Sequence, residues 1–395
     1  MQPVHRTTLI AGSVYLAACA VAYGGLFSHA YPGDVGTYAE YGRALVLHGR
    51  IPYRDFYDEY PPGSVLLFAL PALIWNAHYV LVFKLLMTAS GLGFTACAAW
   101  IVHRLGLSGW RLAPVVLAPV LMGPVFLNRY DPLPAFLVSL ALVALLKGQE
   151  RLSGGLLGAG TALKLYPAVV VPVALRRVRS LVSAGAAYLI TGAVLVLPFF
   201  ALAPGGVGYS LWTQAKRHLQ IESFGASILL AGSKLGIHHV GWIRGKPGSI
   251  DIGGTLADSV GVLSSVLAVV LLLAVAWVFW KGPDDDERMV TAWAAAVSAW
   301  VVFGKVLSPQ YLTWLVPLVP LAAGRNGRRA AAVWFGVLAI TQLEYLSGRH
   351  GQRDQNWSVW VLLVRNLGLV AMFVLLLAEL RDRVAPAVSR QREHA

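Results

Sequence analysis

Residues 258–280 read DSVGVLSSVLAVVLLLAVAWVFW, and after Asp258 no charged side chain occurs as far as Trp280. A helix needs about 20 such residues to cross the hydrocarbon core of a bilayer. Comparable apolar stretches recur at 8–29, 78–102, 112–127, 132–147, 153–164, 166–175, 181–203, 289–304, 309–323, 329–346 and 357–380. The composition agrees, with 57 % hydrophobic and only 13 % charged residues, against about 25 % charged in soluble domains. The expected fold is all-α: a polytopic helical membrane protein of about 12 transmembrane or re-entrant helices. It forms a single integral-membrane domain over 1–395, because no polar stretch is long enough for a soluble one.

Two segments are too short to cross alone. They are 153–164 and 166–175, which meet at Lys164-Leu165-Tyr166-Pro167. Proline disfavours helical geometry at the residue before it, so a break is expected there. Segments 63–75 and 222–235 read as interfacial or re-entrant helices. Ser28-His29-Ala30 loosely resembles a cleavage site, but the apolar stretch before it exceeds a usual signal core. The first helix is therefore expected to be retained.

Basic residues set the orientation of short loops. Arg6, Arg104, Arg111, Lys147, Arg151, Arg176, Arg177, Arg179, Lys281, Arg288, Arg325, Arg328 and Arg329 fall on one side, with the tail at 381–395. That side is read as cytoplasmic. Two long loops, 30–77 and 204–257, are then extracytoplasmic. The formal charge of +13 thus reflects residues flanking spans, and no nucleic-acid partner is implied. The Arg-rich tail suits anionic membrane lipids. Cys19 and Cys97 both lie in apolar helices and read as core residues.

The first long loop carries the chemistry. It contains Asp34, then Asp55-Phe56-Tyr57-Asp58-Glu59-Tyr60-Pro61-Pro62. Asp34 has two compatible readings: a general base at the membrane boundary, and the cap of a helix over 35–48. Asp55, Asp58 and Glu59 are rival carboxylates in an aromatic, interface-like setting. Asp131, followed by Pro132, has the pattern of a helix cap and is also a site candidate.

Ionisable residues inside apolar segments are costly, which singles out Lys84, Lys164, Lys305, Glu344 and Arg365. Lys164 and Lys305 suit a lipid phosphate, whereas Glu344 and Arg365 read as internal structural contacts. The second long loop holds Lys216, Arg217, His218, Gln220, Glu222 and Ser223, a set that suits an anionic phosphate. His238-His239 lacks metal-ligand spacing. No nucleotide-binding fingerprint occurs, and neither a metal nor another cofactor is expected.

Taken in order, these features resemble the GT-C class of integral-membrane glycosyltransferases, and within it glycosyltransferase family 87. The resemblance rests on Asp34 with Tyr38, Gly49-Arg50-Ile51-Pro52-Tyr53, Tyr60-Pro61-Pro62 and Lys164-Leu165-Tyr166-Pro167. It continues through Arg217-His218-Leu219-Gln220-Ile221-Glu222-Ser223 and Ser308-Pro309-Gln310-Tyr311. It implies a polyprenyl-phosphate-sugar donor, most often mannose, used on the extracytoplasmic face with inversion. The acceptor is a lipid or glycan. Asp34 matches the catalytic acid position. Lys164, Arg217, His218 and Lys305 are the expected phosphate ligands. Tyr38, Asp58, Glu59, Tyr60, Asp131, Gln220, Glu222 and Gln310 are candidates for sugar or acceptor. The alternatives are transfer of another sugar, such as arabinofuranose, or a lipid-sugar flippase. A transporter should show paired half-chain symmetry, and only one broken pair is found.

Overall fold

The computed structural model describes residues 3–27, 33–244, 250–353 and 357–382. The cleavage-like Ser28-His29-Ala30, the side chain of Glu344 and the basic tail beyond 382 lie outside the described residues. The protein is helical and polytopic. Among the described residues five helices are long and apolar enough to cross a membrane: Val4–Leu26, Pro62–Arg104, Leu181–Leu202, Thr255–Lys281 and Ser358–Asp382. The opening stretch 258–280 lies within the fourth of these.

The chain forms two compact units. One comprises Met1–Ile101 and Val116–Lys216, the other Val102–Val115 and Arg217–Ala395. In the first unit the helix Val35–His48 follows Asp34 directly and ends at Gly49, whose φ of 61° suits glycine. It packs on the helix Pro62–Trp75 through Gly42, where an added Cβ would run into the Phe68 carbonyl. Helix Glu150–Leu163 stops at Lys164, whose backbone is extended (φ −159°, ψ 134°). A 3-10 turn, Tyr166–Val170, follows, so the break expected before Pro167 is present.

In the second unit the helix Asp286–Phe303 is buried along most of its length. Its apolar residues point in every direction, as befits a core helix. Arg288 is fully buried and donates to the carbonyls of Val278 and Phe279 at 3.0 and 3.1 Å. It thereby satisfies the C-terminal end of Thr255–Lys281 with a positive charge. A small sheet accompanies these helices. Ile250–Gly253 lies between Leu219–Gln220 and Gly241–Arg244, antiparallel to both.

Two expected spans are not continuous helices. Segment 112–127 consists of the short helices Ala113–Val116, Ala118–Met122 and Pro124–Leu127. Pro119 and Pro124 supply no N–H, and Gly123 takes φ 58°. Segment 309–323 contains the 3-10 turns Pro309–Trp314 and Val319–Leu321, for the same reason. Hydropathy registers the burial of these segments and not their backbone geometry.

The Gly42 contact has a measurable consequence. Gly42→Ala is expected to cost about 1–3 kcal/mol by overpacking. A thermal midpoint in detergent equal to that of the wild type would contradict the contact.

Candidate active site

Asp34 and Asp131 both occupy the residue before a helix, yet neither side chain caps it. Each carboxylate is drawn to a cation instead. Asp34 Oδ2 pairs with Arg129 Nη1, and Asp131 Oδ1 accepts from Lys164 Nζ at 2.6 Å. The capping expected of both side chains is thus corrected. A charge-assisted bond outweighs a neutral cap where solvent is scarce.

The two pairs come from neighbouring positions. Arg129 and Asp131 flank Tyr130 in the turn ahead of helix Pro132–Leu146. Lys164 Nζ also lies 4.4 Å from the centroid of the Tyr130 ring, and Tyr130 Oη donates to the Leu163 carbonyl at 3.3 Å. Side-chain exposure is graded, from 37 % for Asp34 through 13 % for Arg129 and 14 % for Lys164 to 1 % for Asp131. A carboxylate reachable from outside therefore sits at the edge of a buried, alternating-charge cluster.

Tyrosines support this cluster. Tyr38, itself buried, stacks on Phe68 at 4.4 Å and meets Tyr60 and Tyr130 edge-on at 5.4 and 5.7 Å. Tyr60 is delivered by the loop before Pro61. Tyr60 N donates to Asp58 Oδ1 at 2.9 Å, and the Tyr60 carbonyl accepts from Tyr53 Oη at 2.6 Å. The Glu59 carbonyl accepts from Gln214 Nε2 at 3.1 Å, which fastens the loop to the helix Pro204–Ala215.

The rival carboxylates separate by environment. Asp55 accepts from Arg54 at 2.8 Å and from Ile51 N at 2.7 Å. These bonds, the Arg54 bond foremost, hold its pKa down to about 2. Asp58 is fully buried. Burial pushes its carboxyl up to about 8, with a smaller upward push from Glu59, against the lowering bond from Tyr60 N.

In the second unit, His218 Nδ1 lies 3.2 Å from Asp258 Oδ1. Gln220 N donates to the Lys305 carbonyl at 3.0 Å. Lys305 has its pKa lowered by burial first and by the Arg217 charge second. Gln220 and Glu222 are buried, and Gln220 Oε1 accepts from Glu222 N at 3.1 Å. Gln310 Oε1 accepts from Ser308 Oγ at 2.6 Å. Arg365 donates to the Glu222 carbonyl at 3.1 Å. Among the described residues no group of three His, Cys, Asp or Glu side chains is placed to hold a metal ion.

The structure thus joins Asp34 to Arg129, and Asp131 to Lys164, within one unit, and Gln220, Glu222 and Lys305 within the other. Arg129 and Asp258 were not singled out by sequence. Arg129 is marked in the sequence only as one of several basic residues on the predicted outer side, two residues before Asp131.

Comparison with known proteins places this polytopic helical fold in the GT-C class of membrane glycosyltransferases. The crystal structure of ArnT from Cupriavidus metallidurans bound to undecaprenyl phosphate shares it. The match has a TM-score of 0.50 and 14 % identity, and covers 96 % of this chain and 77 % of that one. The likeness is one of fold. The profile of glycosyltransferase family 87 matches residues 59–309, and the chain belongs to that family. No curated protein matches it significantly in sequence. Asp131, Lys164, Arg217–Ser223 and Lys305 fall inside the matched residues, whereas Asp34, Arg129's partner, lies ahead of them.

Two predictions concern the buried acids. Lys164→Met removes the cation 2.6 Å from the buried Asp131 carboxylate and is expected to cost about 3–5 kcal/mol. Adding Asp131→Asn is expected to recover part of that loss, and additive losses in a double-mutant cycle would contradict coupling. Asp58 predicts a pH dependence. Its carboxyl ionises near ~4 when unfolded and near about 8 when folded. The native state therefore binds more protons between those values. The stabilisation is complete below ~4 and is lost as pH rises through the folded value. The thermal midpoint is expected to fall from about pH 5 to pH 8, and Asp58→Asn to flatten that slope. An equally steep slope in the variant would exclude a buried neutral acid.

Proposed function

We propose that the protein transfers a sugar, mannose in the first instance, from a polyprenyl-phosphate donor to a hydroxyl of a lipid or glycan acceptor. The reaction takes place at the extracytoplasmic face of the cytoplasmic membrane and inverts the anomeric carbon. The observation that carries this reading is the half-exposed Asp34 carboxylate, held by Arg129 beside the buried Asp131–Lys164 pair. Family membership supplies the reaction class. The undecaprenyl phosphate in the ArnT structure supports a polyprenyl-phosphate carrier. The orientation and the choice of mannose follow from the charge pattern and the family resemblance.

Asp34 accepts the proton of the acceptor hydroxyl as its oxygen attacks the anomeric carbon. The bond from that carbon to the phosphate oxygen breaks, and polyprenyl phosphate departs as an anion. A phosphate leaving group is already stabilised, so no proton need be delivered to it. Lys164 of the first unit, and Arg217, His218 and Lys305 of the second, are the phosphate candidates that the family resemblance offers; cationic groups beside a departing phosphate favour the transition state. Tyr38, Asp58, Glu59, Tyr60, Asp131, Gln220, Glu222 and Gln310 are assigned to sugar and acceptor. Arg129 joins them as the residue that aims Asp34.

The test is transfer from labelled polyprenyl-phosphate mannose to extracted envelope lipids or glycans by the purified, membrane-inserted protein. Asp34→Asn is expected to lower kcat by about 100-fold or more, the scale of a lost general base. Full activity in a correctly inserted Asp34→Asn would sink the assignment. Turnover with a different lipid-linked sugar, such as arabinofuranose, would correct the donor alone.

A further inference from the structure

The last apolar helix, Ser358–Asp382, carries Arg365 and Asn366, both 0 % exposed. Their described hydrogen bonds all go to one turn of the second unit. Arg365 Nη2 donates to the Glu222 carbonyl at 3.1 Å. Asn366 Nδ2 donates to the same oxygen at 3.2 Å and to the Ser223 carbonyl at 3.3 Å. That turn is closed locally as well. Ser223 N donates to the Gln220 carbonyl at 2.9 Å, and Ser223 Oγ accepts from Ala226 N at 3.2 Å to start the helix Phe224–Lys234.

The remainder of the two side chains gains nothing. Arg365 Nε and Nη1 and Asn366 Oδ1 are buried without a hydrogen-bond partner among the described residues. A guanidinium keeps its charge at any accessible pH. Burying it against a neutral carbonyl is unfavourable, and an apolar side chain of similar size would serve stability better. Two polar residues kept at that cost and aimed at one carbonyl point to a positional requirement. Both lie beyond the residues matched by the family profile.

We infer that Arg365 and Asn366 are positioning residues for glycosyl transfer: they fix the Glu222 carbonyl and so direct the Gln220 and Glu222 side chains. This rests on the assignment of Gln220 and Glu222 to sugar and acceptor under the proposed function. The bonds to Glu222 and Ser223 leave the turn one orientation relative to its helix. Loss of either donor removes one of the two side-chain bonds to that carbonyl without removing any group assigned to substrate.

The test uses the full chain in lipid nanodiscs, comparing wild type with Arg365→Met, Arg365→Lys and Asn366→Leu. Three quantities are read: the thermal midpoint, backbone amide exchange over residues 221–227, and kcat and KM for the labelled donor. Arg365→Met is expected to melt no lower than wild type. Its exchange over the turn is expected to accelerate about tenfold, with kcat down about tenfold and donor KM little changed. Arg365→Lys is expected to recover part of kcat, and Asn366→Leu to repeat the loss without altering charge. A melting point that drops in step with activity, or an unchanged exchange rate, overturns the inference. So does a loosened turn with full turnover. The exchange and melting measurements need no donor. A wrong donor therefore shows as an inactive wild type whose variants still loosen, which separates failure of the proposed function from failure of this inference.

Discussion

Lys164 and Asp131 meet at 2.6 Å where the carboxylate is almost wholly enclosed. An isolated ion in such surroundings costs several kcal/mol, a cost the pairing offsets. The pair therefore imposes geometry. It ties the end of helix Glu150–Leu163 to the start of Pro132–Leu146. Through the Tyr130 ring it also sets the tyrosine cluster on which Val35–His48 and Pro62–Trp75 pack. Asp34 stands at the first turn of Val35–His48 and inherits its position from that arrangement. One buried ion pair, ordered by backbone breaks on either side, thus precedes the exposed carboxylate in the logic of the site.

Those breaks were legible because local chemistry dictates them. The chain breaks at Lys164, three residues ahead of Pro167, whose missing N–H disfavours a continued helix, and Gly49 ends the helix that follows Asp34. The helices over 35–48, 62–75 and 132–146 also follow from patterning and turn residues. The partners of Asp34 and Asp131 were not legible. Both acids carry a capping signature, and only the tertiary approach of Arg129 and Lys164 decides against it. The three-stranded sheet around Ile250–Gly253 leaves no mark in the sequence because its strands are two to four residues long, too short for a period to register. In 112–127 and 309–323 the prolines were visible, but apolar composition outweighed them.

Counting basic residues by loop treats every arginine as a topology signal. Two of those arginines are consumed by the fold of the second unit. Arg111 is buried and donates to the Pro320 carbonyl at 2.9 Å, and Arg288 serves the helix-end carbonyls at Val278 and Phe279. A guanidinium enclosed in protein does not sample the membrane surface, so it contributes little to orientation. The cytoplasmic assignment is carried instead by residues such as Lys147, Arg151 and Arg179.

The acid-rich loop at 55–62 divides its carboxylates by solvent access. Asp55, near the surface, is spent on Arg54 and on the Ile51 N–H. Asp58, enclosed, is held in the neutral range and fixes the Tyr60 backbone. Tyr53 enters the left-handed region at φ 67°, which L-residues seldom adopt, and uses its hydroxyl on the Tyr60 carbonyl. The strain there costs about 1–3 kcal/mol and is offset by the bonds around Tyr60. Asp58 and Tyr53 both hold the Tyr60 backbone, whose ring lies against Tyr38 and Tyr130. Part of the loop's polarity therefore serves the fold, bracing the Tyr60 backbone. A general base needs a different environment, open enough to meet an acceptor hydroxyl and charged enough to stay ionised. Asp58 is too enclosed for that, and Asp55 is already engaged by Arg54 and the Ile51 N–H; Asp34, at the edge of the cluster with Arg129 beside it, is the carboxylate proposed for the role.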